Sequence, residues 1–297
     1  MSWKNDILAS TAEIHSDGIV QGHIFYDEGK LFHESKSKGA NLRELSKSKT
    51  HQANWEKPSY EKIFTAYLSD LPKDLVVADL GCDDGRFVAY LLDQGFNKIV
   101  ALDSHKMALF SLQNYLREIN QLEKVLLIHS SVNELPIKDN SLDMALIINV
   151  LYYLGAKEED ALKKIVSKIK PDGEAIITDH NYEALLLRAL IFNGFDDFIK
   201  TAKTGQFKET DKVTQHYFPS RKVKDFEDYY NRNGLEIIDT KGISLFHQFL
   251  NISRAKGHIS DKLIVNQLET ILKLFNDLQE NGTLVKTFVH HLKKLNK

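Results

Sequence analysis

Val76-Val-Ala-Asp-Leu-Gly-Cys-Asp-Asp-Gly-Arg-Phe87 carries an apolar run through a glycine-bearing turn directly into a helical pattern. Leu75–Asp79 is short, apolar and rich in valine, as a strand buried on both faces must be. Phe87, Val88, Leu91 and Leu92 then recur with helical period until Gly95 stops them. At such a turn the missing side chains let a ligand approach the backbone, and ligands of open α/β sheets collect at the carboxyl ends of the strands. Asp103 ends the next apolar run, Ile99-Val-Ala-Leu-Asp103, and is placed to take both hydroxyls of a ribose.

The same alternation continues outward. Ser104 is expected to cap a helix carrying Leu109, Leu112, Leu116 and Ile119, and Val125–Ile128 and Leu142–Ile148 supply two more strands. Glu158–Ile169 reads as a helix closed by Pro171-Asp-Gly173, followed by a fifth strand at Glu174–Asp179. Strand and helix in turn, with short links, predict an α/β fold: a Rossmann-like, doubly wound, mostly parallel seven-stranded sheet with a helical, aromatic-rich cap and an N-terminal extension. Residues 58–181 are the expected cofactor-binding core. A cap is expected over 182–233, with helices at Tyr182–Phe192 and Lys222–Asn233. Residues 234–297 complete the core through a strand at Leu235–Asp239, an amphipathic helix over 261–279 (Ile264, Val265, Leu268, Ile271, Leu272, Phe275) and a final antiparallel strand at Thr283–Leu292. Tyr60–Leu68 reads as a helix at the start of the core. In the extension, 1–57, the alternating run Gly18–Tyr26, the turn Asp27–Gly29 and Lys30–His33 read as a hairpin forming part of the cap. A Ser/Lys-rich surface stretch follows it.

Composition narrows the function. With 42% hydrophobic and 27% charged residues in 297 the chain has the make-up of a soluble globular protein, and no apolar stretch is long enough to span a bilayer. The first residues lack the apolar core of a secretory signal, so a cytoplasmic protein is expected. Cys82 is the single cysteine, which excludes an internal disulfide and a cysteine-rich zinc site. His15, His23 and His33 make no tight metal-binding pair, so no metal is expected. A net charge of −2 lacks the basic surplus of a chain that grips nucleic acid and makes a nucleic-acid partner disfavoured.

The turn also discriminates between nucleosides. A dinucleotide site needs Gly-x-Gly-x-x-Gly with a pyrophosphate at the helix N-terminus, whereas here Asp83 and Arg86 replace glycines. Asp79, Asp83 and Asp84 crowd carboxylates around the turn, which repels a diphosphate and suits the ammonium and sulfonium of S-adenosylmethionine.

Asp79-Leu-Gly-Cys-Asp-Asp-Gly85 resembles motif I of the class I S-adenosylmethionine-dependent methyltransferases. The resemblance runs in order through Asp103, Ser130-Ser-Val-Asn-Glu-Leu-Pro136, Asp139-Asn-Ser-Leu-Asp143, Asn149-Val-Leu-Tyr-Tyr-Leu154 and Ile169-Lys-Pro-Asp-Gly-Glu174. It covers residues 58–181, with a weaker echo at 220–240. The most similar subgroup is the small-molecule type that includes the ubiquinone/menaquinone-biosynthesis methyltransferases. The resemblance implies that Gly81 and the backbone around Cys82 line the methionine end of the cofactor, with Asp83 and Gly85 completing the turn. It further implies that Asp79 orders the turn and helps the ammonium, Asp103 holds the ribose, and Ser104 and Val132 flank the adenine. Asn149 would stand between cofactor and acceptor.

Two positions depart from the pattern: Asp83 stands for the middle glycine, and Ser131 for the acidic residue that precedes the adenine contact. Both bear on cofactor affinity. Candidate catalytic residues are Asn149, His180 after the fifth strand as general base, and His216 in the insertion. Phe192, Phe195, Phe198, Phe207, Tyr217, Phe218, Phe226, Tyr229 and Tyr230 are candidates for lining an apolar acceptor pocket or filling a cap. The expected reaction is methyl transfer to an O, N or C atom of a small-molecule acceptor. RNA or protein acceptors, and a binding protein that retains the fold without catalysis, stand as alternatives. The terminal amphipathic helix packs on the core or serves as the face of a homodimer.

Overall fold

The computed structural model describes residues 2–22, 52–210, 215–219, 221–244, 253, 257–260, 262–267, 269, 270, 273 and 285–296. Strands β1 (Glu13–Ile14), β2 (Val20–Gln21), β3 (Val76–Leu80), β4 (Lys98–Asp103), β5 (Val125–His129), β6 (Leu142–Ile147) and β7 (Ile169–His180) precede a two-stranded hairpin, β8 (Gln206–Thr210) and β9 (Gln215–Pro219). β10 (Leu235–Ser244) and β11 (Val285–Lys294) close the chain. Among the described residues all but the hairpin form one nine-stranded sheet in the order β1-β2-β5-β4-β3-β6-β7-β11-β10. Neighbours from β2 to β7 run parallel, and β11 and β10 are antiparallel.

The seven expected strands are present, but the expected count is two short. Val20–Gln21 pairs in parallel with Ile128–His129 at what would be a free edge, and Glu13–Ile14 pairs with it in turn. An unpaired edge of buried β5 would leave its amides unsatisfied, and the extension covers it. Strand β7 begins at Ile169, so Pro171-Asp-Gly173 lies inside it rather than before it. Asp172 adopts a left-handed φ of 61°, and the pairing with β6 shifts register between Leu142 and Met144.

Helices α1 (Ser2–Ile7), α2 (Gln52–Leu68), α3 (Arg86–Asp93), α4 (Lys106–Glu118), α5 (Glu158–Lys168), α6 (Tyr182–Arg188), α7 (Phe195–Thr204) and α8 (Phe226–Arg232) accompany the strands. A π-helical turn, Ala189–Asn193, separates α6 from α7 at Gly194. Every residue of β3 is buried. Along β4 the pleat sends Val100 and Leu102 into one apolar cluster and Ile99 and Ala101 into the other, so each face of the sheet has its own core.

Several expectations shift here. Phe226, Tyr229 and Tyr230 of α8 lie in the core cluster with Leu235 and Leu292, because their i, i+3, i+4 stripe faces the sheet. They therefore pack the cap's last helix onto the sheet. Phe195 is 64% exposed. Ile264 is buried but Leu263 and Val265 are exposed, so Val265 is not on the packed stripe. Leu268, Ile271, Leu272 and Phe275 lie outside the described residues, as do 23–33 of the expected hairpin and the Ser/Lys stretch.

The chain goes from β3 to β4 and β5 on one side, then crosses to β6 and β7 on the other. The carboxyl ends of β3 and β6 therefore border the crevice where such a sheet takes its ligand.

Candidate functional site

The turn after β3 is built from left-handed backbone. Gly81 has φ 87°, Asp83 φ 47° and Gly85 φ 91°. A Cβ on Gly81 would lie 2.3 Å from Val150 Cγ2, and one on Gly85 2.3 Å from Leu112 Cδ1, so both positions need glycine for space as well as for φ. The amides of Gly81 and Cys82 donate to the Leu102 carbonyl at 2.7 and 3.0 Å, which ties the turn to the end of β4. Asp83 occupies its left-handed position without a glycine because Asp tolerates that region, and its N–H donates to Asp103 Oδ2 at 2.7 Å.

Asp103 is the hinge of the site. Its Oδ1 accepts the His105 N–H at 2.8 Å, so one carboxylate fastens the β3 turn and the start of α4. The helix N-cap is His105, not Ser104. This cap residue makes no side-chain cap bond; Asp103 holds its N–H instead, and the Ser104 carbonyl is taken up by His129 Nε2 at 3.1 Å.

Carboxylates converge here. Asp79 is 1% exposed and Asp84 7%, and each has an oxygen, Oδ2, with no hydrogen-bond partner. Desolvation, with Asp103 and Asp83 adding to it against Arg86, raises Asp79 to about 7. Desolvation and then Asp83 raise Asp84 to about 7 and Asp103 to about 6. Buried carboxylates with unused oxygens, beside glycines that leave the backbone open, fit a ligand that is a nucleoside bearing positive charge. They do not fit a diphosphate. The residue that would hold the cationic end is Asp79, and the Asp103 carboxylate would take the ribose. Cys82 is buried, its thiol pushed up by desolvation and the surrounding acids, so it is not a nucleophile.

On the β6 and β7 side, Asn149 has φ 60° and is fixed by three hydrogen bonds to two residues. Its N–H donates to Thr178 Oγ1 at 2.7 Å, Thr178 Oγ1 donates to Asn149 Oδ1 at 3.4 Å, and Nδ2 donates to the Tyr60 hydroxyl at 3.3 Å. Tyr60, on α2, is 1% exposed, and the Arg86 guanidinium lies 5.5 Å from its ring centroid. His180 is 8% exposed, with its ring 4.1 Å from that of Tyr152. Burial, with Arg188 and Lys286 beyond it, holds His180 well below its ordinary pKa, so the ring is neutral. Leu185, Ala189 and Phe207 form a small cluster with Tyr152, Tyr153 and Phe198 next to it. His216 falls in β9, and its side chain lies outside the described residues, as do those of Phe192, Tyr217 and Phe218.

Ser131 is partly buried and its carbonyl accepts the Glu134 N–H at 2.9 Å, turning the loop after β5. Val132 is buried in the core cluster beneath that loop. The structure thus gathers Asp79, Gly81, Cys82, Asp83, Gly85 and Asp103 at one turn, and Asn149 with His180 at the neighbouring strand ends. Tyr60 and Thr178 are not among the site residues expected from sequence, and Arg86 enters there only as a replacement for a glycine. Tyr60 carries no local signal, since only the fold brings α2 over Asn149.

Behind His180 lies a buried ionic cluster. Arg221 reaches Glu158 at 2.7 Å and Asp179 at 3.0 Å, and its guanidinium lies 3.5 Å from the Tyr229 ring centroid. The Tyr229 hydroxyl donates to Glu158 at 3.0 Å, and that of Tyr230 to Asp179. Burial works against the charge of Arg221, but Asp179 and Glu158 outweigh it and push its pKa up. The cluster fixes the return of the insertion, where Asn181 bridges to Arg221, onto the end of β7.

Comparison with known proteins bears on this geometry. Residues 78–177 match a family model described as a methyltransferase domain. The chain is 26% identical over 232 residues to a ubiquinone biosynthesis O-methyltransferase of Rickettsia typhi, covering 77% of this chain and 85% of that one. It is 35% identical over 136 residues to an uncharacterised protein of Methanocaldococcus jannaschii, 46% of this chain and 54% of that one, so it spans about half that relative's length. Among solved structures, a Burkholderia thailandensis 1,6-didemethyltoxoflavin-N1-methyltransferase with bound S-adenosylhomocysteine shares the fold. Its TM-score is 0.55 at 15% identity, over 90% of this chain and 87% of that one. Among the described residues no helix is long and apolar enough to cross a membrane.

Proposed function

We propose that the chain is a class I S-adenosylmethionine-dependent methyltransferase, in line with the methyltransferase-domain match and the similarity to a ubiquinone biosynthesis O-methyltransferase, and that it methylates an O, N or C atom of a small molecule held against Tyr152 and His180. The observation that carries the reading is the set of buried carboxylate oxygens left without partners at the β3 turn, Asp79 Oδ2 and Asp84 Oδ2. They suit a cationic nucleoside and oppose a phosphorylated one. When bound, the cofactor supplies an electrophilic methyl carbon: the acceptor atom bonds to it as the carbon–sulfur bond breaks, giving S-adenosylhomocysteine and a proton from the acceptor.

Asp103 orients the ribose, and the Gly81 turn excludes bulk from the methionine end. Asn149, locked by Thr178 and Tyr60, fixes the boundary between the two halves of the site. His180, held neutral by burial, accepts a hydrogen bond from an acceptor hydroxyl or amine and orients its lone pair toward the methyl carbon. Tyr152, Tyr153 and Phe207 give the acceptor side an aromatic wall, which suits a planar or apolar body.

The test is titration calorimetry with S-adenosylmethionine, S-adenosylhomocysteine and NAD, followed by labelled-methyl screening of small-molecule pools. Binding of the first two and not NAD, with label entering a low-mass product, is expected. A His180→Asn chain should keep S-adenosylhomocysteine affinity within about twofold and lose turnover by about a hundredfold. Label entering only RNA or protein overturns the acceptor class.

A further inference from the structure

The N-terminal strand reaches the other end of the same crevice. Gln21 lies beside His129 in parallel register, and the Gly22 N–H donates to the His129 carbonyl at 3.0 Å. Gly22 has no alternative residue here: a Cβ would sit 2.3 Å from Ser130 Oγ and 3.2 Å from Pro136 Cδ. Upstream, the Ala9 N–H donates to the Pro136 carbonyl at 3.0 Å and the Lys138 N–H to the Ile7 carbonyl at 2.8 Å, so residues 7–22 follow the loop 130–138 along its length. The turn before β2 is anchored on α4, where Gln113 Nε2 donates to the Asp17 carbonyl at 2.8 Å and Lys106 pairs with Asp17 at 3.3 Å.

His129 joins the pieces. Its side chain, 9% exposed, lies between the loop after β4 and the loop after β5, the two loops that would flank a purine. The Ser104 carbonyl can only accept, so Nε2 carries a hydrogen and donates to it at 3.1 Å. Nδ1 lies 2.9 Å from Gln21 Oε1, which also only accepts, so this pair is a hydrogen bond when the ring carries a hydrogen on both nitrogens, and Gln21 Nε2 donates to the Gly22 carbonyl at 2.9 Å. One imidazole and one carboxamide thus connect Ser104, on the first wall, to the backbone strapped against Ser130, on the second. At Ser131 the second wall has a hydroxyl where a carboxylate would hold both the purine and the loop.

On the reading of this crevice as an S-adenosylmethionine site, we infer that Gln21 and His129 are positioning residues that set the spacing of its purine walls, making the N-terminal segment part of the cofactor site. Fixed walls hold the purine edge against the backbone of the loop, so a 6-amino purine is told from a 6-oxo purine there. Loosened walls lose that distinction before they lose the ribose and methionine contacts, which belong to Asp103 and the β3 turn.

The experiment compares affinities for S-adenosylhomocysteine and S-inosylhomocysteine in the full chain, its Gln21→Ala and His129→Leu variants, and the conservative His129→Gln. Calorimetry gives the affinities, and melting curves establish that each variant is folded. The full chain is expected to favour the adenosyl ligand by about tenfold or more, one good hydrogen bond to the purine edge. In Gln21→Ala and His129→Leu the ratio is expected to fall by about fivefold, and His129→Gln, which keeps a donor for Ser104, to recover part of it. If folded Gln21→Ala keeps the ratio, whether affinity drops equally for both ligands or not at all, the segment is only a brace and the inference is overturned. Should His129→Leu fail to fold, Gln21→Ala alone decides, since Gln21 is partly exposed and outside the core. Failure of the full chain to bind either ligand instead refutes the underlying cofactor reading.

Discussion

Replacing Asp103 with asparagine tests the centre of the site. In the structure both carboxylate oxygens are engaged, Oδ2 by the Asp83 N–H at 2.7 Å and Oδ1 by the His105 N–H at 2.8 Å. In the ribose assignment the same carboxylate would also take two hydroxyls as charge-assisted bonds, about 1.5–3 kcal/mol each. Asparagine keeps one neutral acceptor, worth about 1 kcal/mol, and turns an amide hydrogen toward one of the two backbone donors. The net loss in S-adenosylhomocysteine binding is therefore at least about 2 kcal/mol, about 30-fold or more at pH 8. Folding is expected to change little, because the lost backbone bond is offset by removing one charge from beside Asp83 and Asp79. Asp103 itself is raised to about 6. At pH 5.5 it is therefore mostly protonated in the parent chain as well, and the gap between parent and Asp103→Asn should narrow to less than about tenfold. Calorimetry at both pH values measures the two gaps. A folded variant within threefold of the parent at pH 8 would refute the ribose assignment.

Three further outcomes follow from the same geometry. Asp79 and Asp84, both raised to about 7, bind protons in the folded chain that the unfolded chain releases near pH 4. They therefore make the unliganded protein lose stability as pH rises from about 4 to about 7. Asp79→Asn should raise the unliganded melting temperature at pH 8 while weakening cofactor binding. The parent should release protons on binding at pH 6.5, seen as buffer-dependent calorimetric enthalpy, and buffer-independent enthalpy would count against this. Gly81→Ala, forced into φ 87° against Val150, should cost about 2–5 kcal/mol in urea unfolding, and an unchanged midpoint would show that the turn relaxes. Arg221→Met leaves Asp179 and Glu158 buried without their cation and should cost about 3–5 kcal/mol. Adding Glu158→Gln should recover part of that loss, and a loss below about 1 kcal/mol would mean that water replaces the guanidinium.

What the sequence discloses and what it withholds divide along a physical line. The β3 turn was legible because its chemistry is local: an apolar run, glycines that must take left-handed φ, and a helix stripe lie within twelve residues, 76–87. The distance from Asp79 to Asp103 is one strand–helix–strand unit, so the second carboxylate could be placed from spacing alone. Asp83 departs from the motif's middle glycine, yet its left-handed backbone and its bond to Asp103 make it a working part of the turn. Val20–Gln21 shows the opposite case. The alternating run Gly18–Tyr26 announces a strand there, but nothing local names its partner, the edge of β5, which only the fold brings beside it. Tyr229 and Tyr230 look like any aromatic pair until α8 is laid on the sheet. Arg221 likewise gains its meaning from two acids 42 and 63 positions earlier, Asp179 and Glu158.

The strapping of residues 7–22 along the loop after β5 has a consequence for the chain as it leaves the ribosome. Gln21 must wait for His129, 108 residues later in sequence, and the Lys138 side chain reaches back 132 residues to the Asp6 carbonyl. The parallel pairs that build the centre of the sheet span shorter loops and can close first, since loop entropy and contact order both favour them. Buried Ile7, Leu8, Ile19 and Val20 therefore remain exposed through the synthesis of the first half of the molecule. The opening residues of the chain are among the last to find their place, and a nascent chain arrested before position 129 presents this apolar segment to whatever is nearby.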